Sequence, residues 1–206
     1  MKPATEILVP GVTERRRSVA LAGHVGDVGA ARAAIDDEAP SVRATALGAL
    51  HRLEVLTDAD LRCALADPEA SVRRRACELA AGSPAVDLSA RLDDGDPSVV
   101  EMAAWALGER RETSAVQALT RLASPGSGHS DPLCREAAVA ALGAIGDPAG
   151  LPAVLDALED KPAIRRRAAV ALAAFDDPEV EPALRRCLQD RDWQVRQVAE
   201  DLLDLE

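Results

Sequence analysis

Residues 131–158 read DPLCREAAVAALGAIGDPAGLPAVLDAL, two short amphipathic helices joined by a tight Gly-Asp-Pro turn. Asp131 is a good N-cap, because its carboxylate accepts the unpaired amides of a first turn. Pro132 follows at the first helical position, where a missing N–H costs nothing. Cys134, Ala138, Ala141, Leu142 and Ile145 then fall at i, i+4, i+7, i+8 and i+11, one apolar stripe of a helix. Gly146 is suited to the left-handed conformation that ends a helix. Asp147 and Pro148 open a second helix, whose stripe is Leu151, Val154, Leu155 and Leu158. Each helix has one apolar face, and a single pair cannot bury both, so the stretch requires a neighbour stacked against it.

Neighbours of the same design run along the chain. Arg15–Asp27 (RRRSVALAGHVGD) lines up with Arg135–Asp147, Gly23 matching Gly143 and Gly26-Asp27 matching Gly146-Asp147. Ser41-Val42-Arg43 with Ala46-Leu47-Gly48 follows, then Asp67-Pro68 with Val72-Arg73 and Ala76. Asp96-Pro97 with Val99 and Ala106-Leu107-Gly108 opens a fourth copy, and Ile164-Arg165 and Val195-Arg196 mark the last two. The arginine after the apolar residue is a ruler. It stands at Arg15, Arg43, Arg73, Arg135, Arg165 and Arg196, with Val100 in its place in the fourth copy, at steps of 28, 30, 27, 35, 30 and 31 residues. A period near 30 residues made of two helices marks an α-solenoid, in which each repeat buries its apolar face on the next.

The pattern D-P-x-x-x-V-R-x-x-A-x-x-A-L-G-x-x-G-D-P resembles the short HEAT-like repeat first associated with phycobilisome lyases, over roughly residues 14–206. The resemblance implies an all-α fold: a right-handed α-solenoid of about six helix pairs with a C-terminal capping helix. Repeats are placed at about 14–36, 37–66, 67–93, 94–123, 131–159 and 160–189, with the cap at 190–206 and residues 1–13 as an N-terminal segment or cap. The ruler arginine is expected to reach an aspartate at the start of a neighbouring repeat, such as Asp67, Asp96, Asp131 or Asp160, and Val100 removes one such rung. The Gly- and Ser-rich loop Ser124–Ser130 is inserted before the most regular copy and reads as tolerated loop variation, or as a hinge or partner contact.

Composition excludes several functions. A formal net charge of −11 argues against a nucleic-acid partner, which asks for a basic surface. Two Trp, one Phe and no Tyr leave packing to Ala, Leu and Val, which suits closely spaced helices. Cys63, Cys77, Cys134 and Cys187 form no C-x-x-C pair and read as small buried apolar residues in a reducing compartment. Neither a signal peptide nor a membrane span is visible, so a soluble cytoplasmic protein is expected.

No catalytic, cofactor-binding or metal-binding residue is assigned. Histidine is limited to His24, His51 and His129. Deoxyhypusine hydroxylase, a family built of similar repeats, implies His-Glu pairs just after the ruler position. Here those positions hold Arg16, Ala44, Arg74, Glu101, Glu136 and Arg166, so a di-iron site is not expected. The HEAT-like alkylpurine DNA glycosylases imply a basic, aromatic groove, which the acidic, aromatic-poor composition does not supply. What remains is a second periodic series, Arg32, Arg62, Arg91, Arg121, Asp156 and Arg186, at steps of 30, 29, 30, 35 and 30 residues on the second helices. Second helices line the concave face of such solenoids, so this stripe is the expected contact for a protein partner carrying an acidic segment. The reading is a non-enzymatic interaction scaffold, with a bilin lyase-like, chromophore-handling subunit as the alternative. Triple arginines at 15–17, 73–75 and 165–167 sit at first-helix starts and are read as serving solubility and stacking.

Overall fold

The computed structural model describes residues 11–203. Residues 1–10 of the expected N-terminal segment and 204–206 of the expected cap lie outside the described residues. Among the described residues there are twelve α-helices and no strand. The chain divides into two compact units, Met1–Leu79 and Ala80–Glu206.

The N-terminal unit holds α1 (Val12–Val25), α2 (Val28–Ala33), α3 (Pro40–Arg52), α4 (Asp58–Leu65) and nearly all of α5 (Ala70–Ala80). α1 packs along α3, and α2 closes against both. Their buried faces are small and aliphatic: Val19, Ala22, Ala31, Val42, Ala46, Ala49 and Leu50. The C-terminal unit holds α6 (Pro97–Glu109), α7 (Val116–Ala123), α8 (Pro132–Ile145), α9 (Leu151–Asp156), α10 (Pro162–Leu172), α11 (Val180–Cys187) and α12 (Trp193–Leu203). α8 packs against both α6 and α10, and α10 against α12. Val195 and Ala199 of the terminal helix are buried against Ala169 and Cys187. The second elements are irregular. The third repeat has only a 3₁₀ turn, Ser89–Asp93, where a helix is expected, and α9 is six residues flanked by 3₁₀ turns.

Two registers counted from the ruler position organise the first helices. Eleven residues on, the chain turns left-handed at Gly26, Glu54, Arg111 and Gly146, with φ of 85°, 58°, 50° and 68°. Only two of these positions hold glycine, so the close of the other two helices carries no sequence mark. Eight residues on, Gly23, Gly108 and Gly143 sit where the next first helix crosses. A Cβ on each would lie 2.9 Å from the Cα of Ala49, Ala141 and Ala171 respectively. Gly48 does not belong to that set, although Ala46-Leu47-Gly48 resembles Ala106-Leu107-Gly108. It lies five residues past Arg43, and His51 occupies the matching position.

The ruler arginines form a ladder. Arg43 grips Asp67 through Nε and Nη2, both at 2.8 Å, and Arg165 grips Asp190 in the same way. Arg135 holds Asp160 at 2.8 and 2.9 Å, and Arg15 holds Asp37 at 2.8 and 3.0 Å. The remaining nitrogen points back: Arg43, Arg73, Arg135 and Arg196 each donate Nη1 to the carbonyl six residues earlier, at 2.7–3.0 Å. The side chains of Arg165 and Asp190 are 5% and 14% exposed, and those of Arg135 and Asp160 are 10% and 7% exposed, so these rungs are not surface pairs. The hydrogen bond from arginine holds the Asp160 and Asp190 carboxyls below the usual carboxylate range. For Asp67, burial is the largest influence and pushes upward, and the bonds from Arg43 and the Glu69 amide with the nearby arginine charges together leave it lowered.

The acids of the ladder correct the expectation at two places. The rung position lies six residues before the following ruler residue at Asp37, Asp67 and Asp190, and five before it at Asp160. By that count Asp96 and Asp131 are helix caps, accepting the amides of Ser98 and Leu133 at 2.9 Å. The rung position is Asp94 in the fourth repeat and His129 in the fifth. Each accepts the amide two residues on at 3.0 Å, as Asp37, Asp67 and Asp190 do at 2.7–2.9 Å. The rung after Val100 is therefore replaced at both ends: valine, fully buried, for arginine, and histidine for aspartate.

Candidate binding grooves

The six residues of the second periodic series are not equivalent once folded. In the N-terminal unit, Arg32 on α2 pairs with Asp60 at 2.7 Å and donates to the Val55 carbonyl at 2.8 Å, so its charge is neutralised within the fold. Burial would raise the Asp60 carboxyl, but bonds from Arg32 and Thr57 leave it lowered. Arg62 on α4 is more exposed and lies 3.9 Å from Asp58. In the C-terminal unit, Arg91 sits in the 3₁₀ turn and pairs with Asp94 at 3.3 Å. Arg121 on α7, Asp156 on α9 and Arg186 on α11 are exposed.

Two of these line grooves. The first, of about 370 Å³, runs between Arg121, Ala118 and Leu122 of α7 and Leu92, Asp93 and Asp94, and the inserted loop forms its wall through Ser127, Gly128 and His129. That loop is a folded turn. The Ser124 hydroxyl donates to Thr120 O (3.0 Å), Gly128 N–H to Ser124 O (2.8 Å) and His129 N–H to Leu122 O (3.1 Å). The second groove, of about 500 Å³, has a floor of Leu155, Leu158 and Ala183, with Arg186 and Arg191 beside Glu159 and Gln189. Arg165 and Asp190 also line it but are committed to each other. Asp156 and Arg91 line neither groove.

Arg191 was not visible as a groove residue from the helix pattern, because it stands in the loop before α12. Its one signal is Lys161, thirty residues earlier in the corresponding loop.

Among the described residues no three His, Cys, Asp or Glu side chains come together as metal ligands. His24 and His51 lie at the ends of α1 and α3, and His129 uses Nδ1 to accept the Asp131 amide. Cys77, Cys134 and Cys187 are buried, but Cys63 on α4 is exposed, which corrects the expectation that all four are buried. Burial pushes the Cys134 thiol up to about 11, and its Sγ donates to Pro97 O at 3.3 Å, so it stays protonated and unreactive. No described helix is long and apolar enough to cross a membrane.

Comparison with known proteins agrees with this architecture. A family model described as HEAT repeats matches residues 58–127, 85–171 and 159–203. Among curated protein sequences, none matches the chain. Among solved structures, YibA of Escherichia coli superposes with a TM-score of 0.73 at 17% identity, covering 97% of this chain and 78% of that one. The CpcE–CpcF complex of phycocyanin lyase from Nostoc sp. PCC7120 superposes with a TM-score of 0.62 at 23% identity, covering 98% and 80%. Human deoxyhypusine hydroxylase in complex with glycerol gives 0.49 at 22% identity, covering 95% and 80%.

Proposed function

The chain belongs to the HEAT-repeat family, and on that premise we propose that it is a non-enzymatic scaffold that holds an acidic, partly apolar segment of a protein partner. The grooves of the C-terminal unit are the contact. The observation that carries this reading is the division of labour among the arginines. Arg43, Arg135 and Arg165 are tied to aspartates of the fold, whereas Arg121 and Arg186 stand exposed beside leucine-lined depressions. Leucine side chains offer apolar area to a partner, and exposed guanidiniums select carboxylates and speed encounter. In a chain of net charge −11, cations kept at a groove favour an acidic ligand locally while the rest of the surface repels it.

The test is affinity capture from the source lysate with the wild-type chain and with R121E/R186E side by side. The expected outcome is a partner retained by the wild type, released by salt and lost with the variant. A partner profile identical for the two proteins would sink the groove assignment.

The likeness to the phycocyanin lyase complex favours one second reading, a chromophore-handling subunit. A bilin brings propionates and a broad apolar face, which Arg186 and Arg191 over Leu155 and Leu158 would suit. Mixing the purified chain with a bilin and recording the visible spectrum separates the readings: a shifted band supports this one, and an unshifted band removes it.

A further inference from the structure

The N-terminal unit carries a depression of about 480 Å³ across the first helices, and three guanidiniums reach it: Arg16 from α1, Arg52 from α3 and Arg75 from α5. No carboxylate lines it. Among the described residues neither Arg16 nor Arg52 makes an ion pair, and Arg75 has Glu78 at 2.8 Å outside the lining. The hydroxyls of Ser41 and Ser71 add uncharged donors at the rim.

Two glycines, Gly48 in the lining and Gly23 behind it, bear on where two of the cations lie. A Cβ on Gly48 would fall 2.5 Å from Nη2 of Arg75, and one on Gly23 would fall 3.4 Å from Nη1 of Arg52. The Arg75 guanidinium therefore lies on the back of Gly48, and the exposed Arg52 passes close over Gly23. That arrangement cuts the rotamer freedom a ligand would otherwise have to freeze.

The C-terminal unit shows what this site lacks. Arg167, two residues past the ruler arginine, faces Glu136 of the preceding repeat at 3.5 Å. Arg75 is the residue two past Arg73, and the position matching Glu136 is Ala44, which lines the depression. The same register thus holds a neutralising acid in one unit and an alanine in the other. Two of the three triple-arginine runs each send one member to this place: Arg15 and Arg73 brace the fold, while Arg16 and Arg75 turn to the depression.

We propose that this depression binds the dianion of a phosphate group. Guanidinium groups present paired N–H donors that match phosphate oxygens, and a dianion offsets clustered positive charge better than a single carboxylate does. The site is separate from the C-terminal grooves and does not rest on the scaffold reading.

The experiment is calorimetric titration of the full chain at low salt with inorganic phosphate, with a phosphoserine peptide and with the same peptide unphosphorylated. Saturable binding of a phosphate-bearing probe is expected, weakened about tenfold or more in R16Q/R52Q, since each lost bond to a charged group is a large fraction of the affinity. The urea midpoint of that variant should be unchanged, and R186Q should bind as the wild type does. Tighter binding of the phosphopeptide assigns the phosphate to a protein, and tighter binding of inorganic phosphate assigns it to a free anion. Saturation by neither, equal affinity for the unphosphorylated peptide, or unchanged affinity in R16Q/R52Q would each overturn the proposal.

Discussion

Arg165 and Asp190 show what a single rung is worth. Both side chains are largely buried, the contact is two-pronged, and the third guanidinium nitrogen caps the Asp160 carbonyl at 2.9 Å. Removing one partner strands the other. R165M should destabilise the chain by roughly 2–3 kcal/mol, below the 3–5 of a fully buried pair because Asp190 keeps some access to water. R165M/D190N should recover part of that loss, and urea unfolding checks both; equal midpoints for wild type and R165M would contradict the role. The pH dependence follows from the same pair. Folding lowers the Asp190 carboxyl below its unfolded value near 4, so the rung's contribution is complete above about that pH and fades as pH falls toward the depressed value. Urea midpoints taken between about pH 6 and pH 2 should fall more steeply for the wild type than for R165M.

At the scale of the helix, close approach outweighs propensity. Alanine is the better helix former by about 1 kcal/mol, so at an exposed site a glycine-to-alanine change would stabilise. At Gly143 the added Cβ meets the Ala171 Cβ at 2.6 Å and its backbone Cα at 2.9 Å, which forces α8 away from α10. G143A should therefore lower stability by about 1–3 kcal/mol, read from the thermal midpoint; a raised midpoint would show that the helices have room.

The missing rung offers a second test at this scale. V100R alone buries an unpaired charge, whereas V100R/H129D supplies the acid at the rung position. Four urea midpoints should give a favourable coupling of about 1 kcal/mol or more, and additive effects would mean that His129 is not the counterpart of the ladder aspartates. The helices themselves are legible in the sequence, because Asp-Pro starts and apolar spacing act locally. The acids of the ladder are less so. The loops before α6 and α12 each carry two aspartates, one at the rung position and one that caps the helix, and the count from the preceding ruler arginine to the rung position changes from loop to loop. Only the nearly constant five- or six-residue distance to the following ruler residue distinguishes Asp94 from Asp96.

Across the whole molecule, a period near 30 residues and a surplus of acid are readable from the sequence, while the placement of free positive charge is not. The stripe of second-helix arginines is regular in sequence, but its members meet different surroundings. Arg32 and Arg91 are paired internally, and Arg121 and Arg186 stand over grooves. Arg191, Arg16 and Arg52 join such surfaces only because neighbouring repeats bring different faces together, a juxtaposition that no single repeat encodes. The central claim is that the exposed arginines select an acidic, partly apolar segment.

Its most direct measurement is the fluorescence anisotropy of a labelled peptide of alternating leucine and glutamate, titrated with the full chain at about 50 mM and about 500 mM salt, where screening lengths differ several-fold. Saturable binding at low salt is expected to weaken at least about tenfold at high salt and to be lost in R121E/R186E. Binding that is indifferent to salt and to the double reversal, or no saturation at low salt, would contradict it.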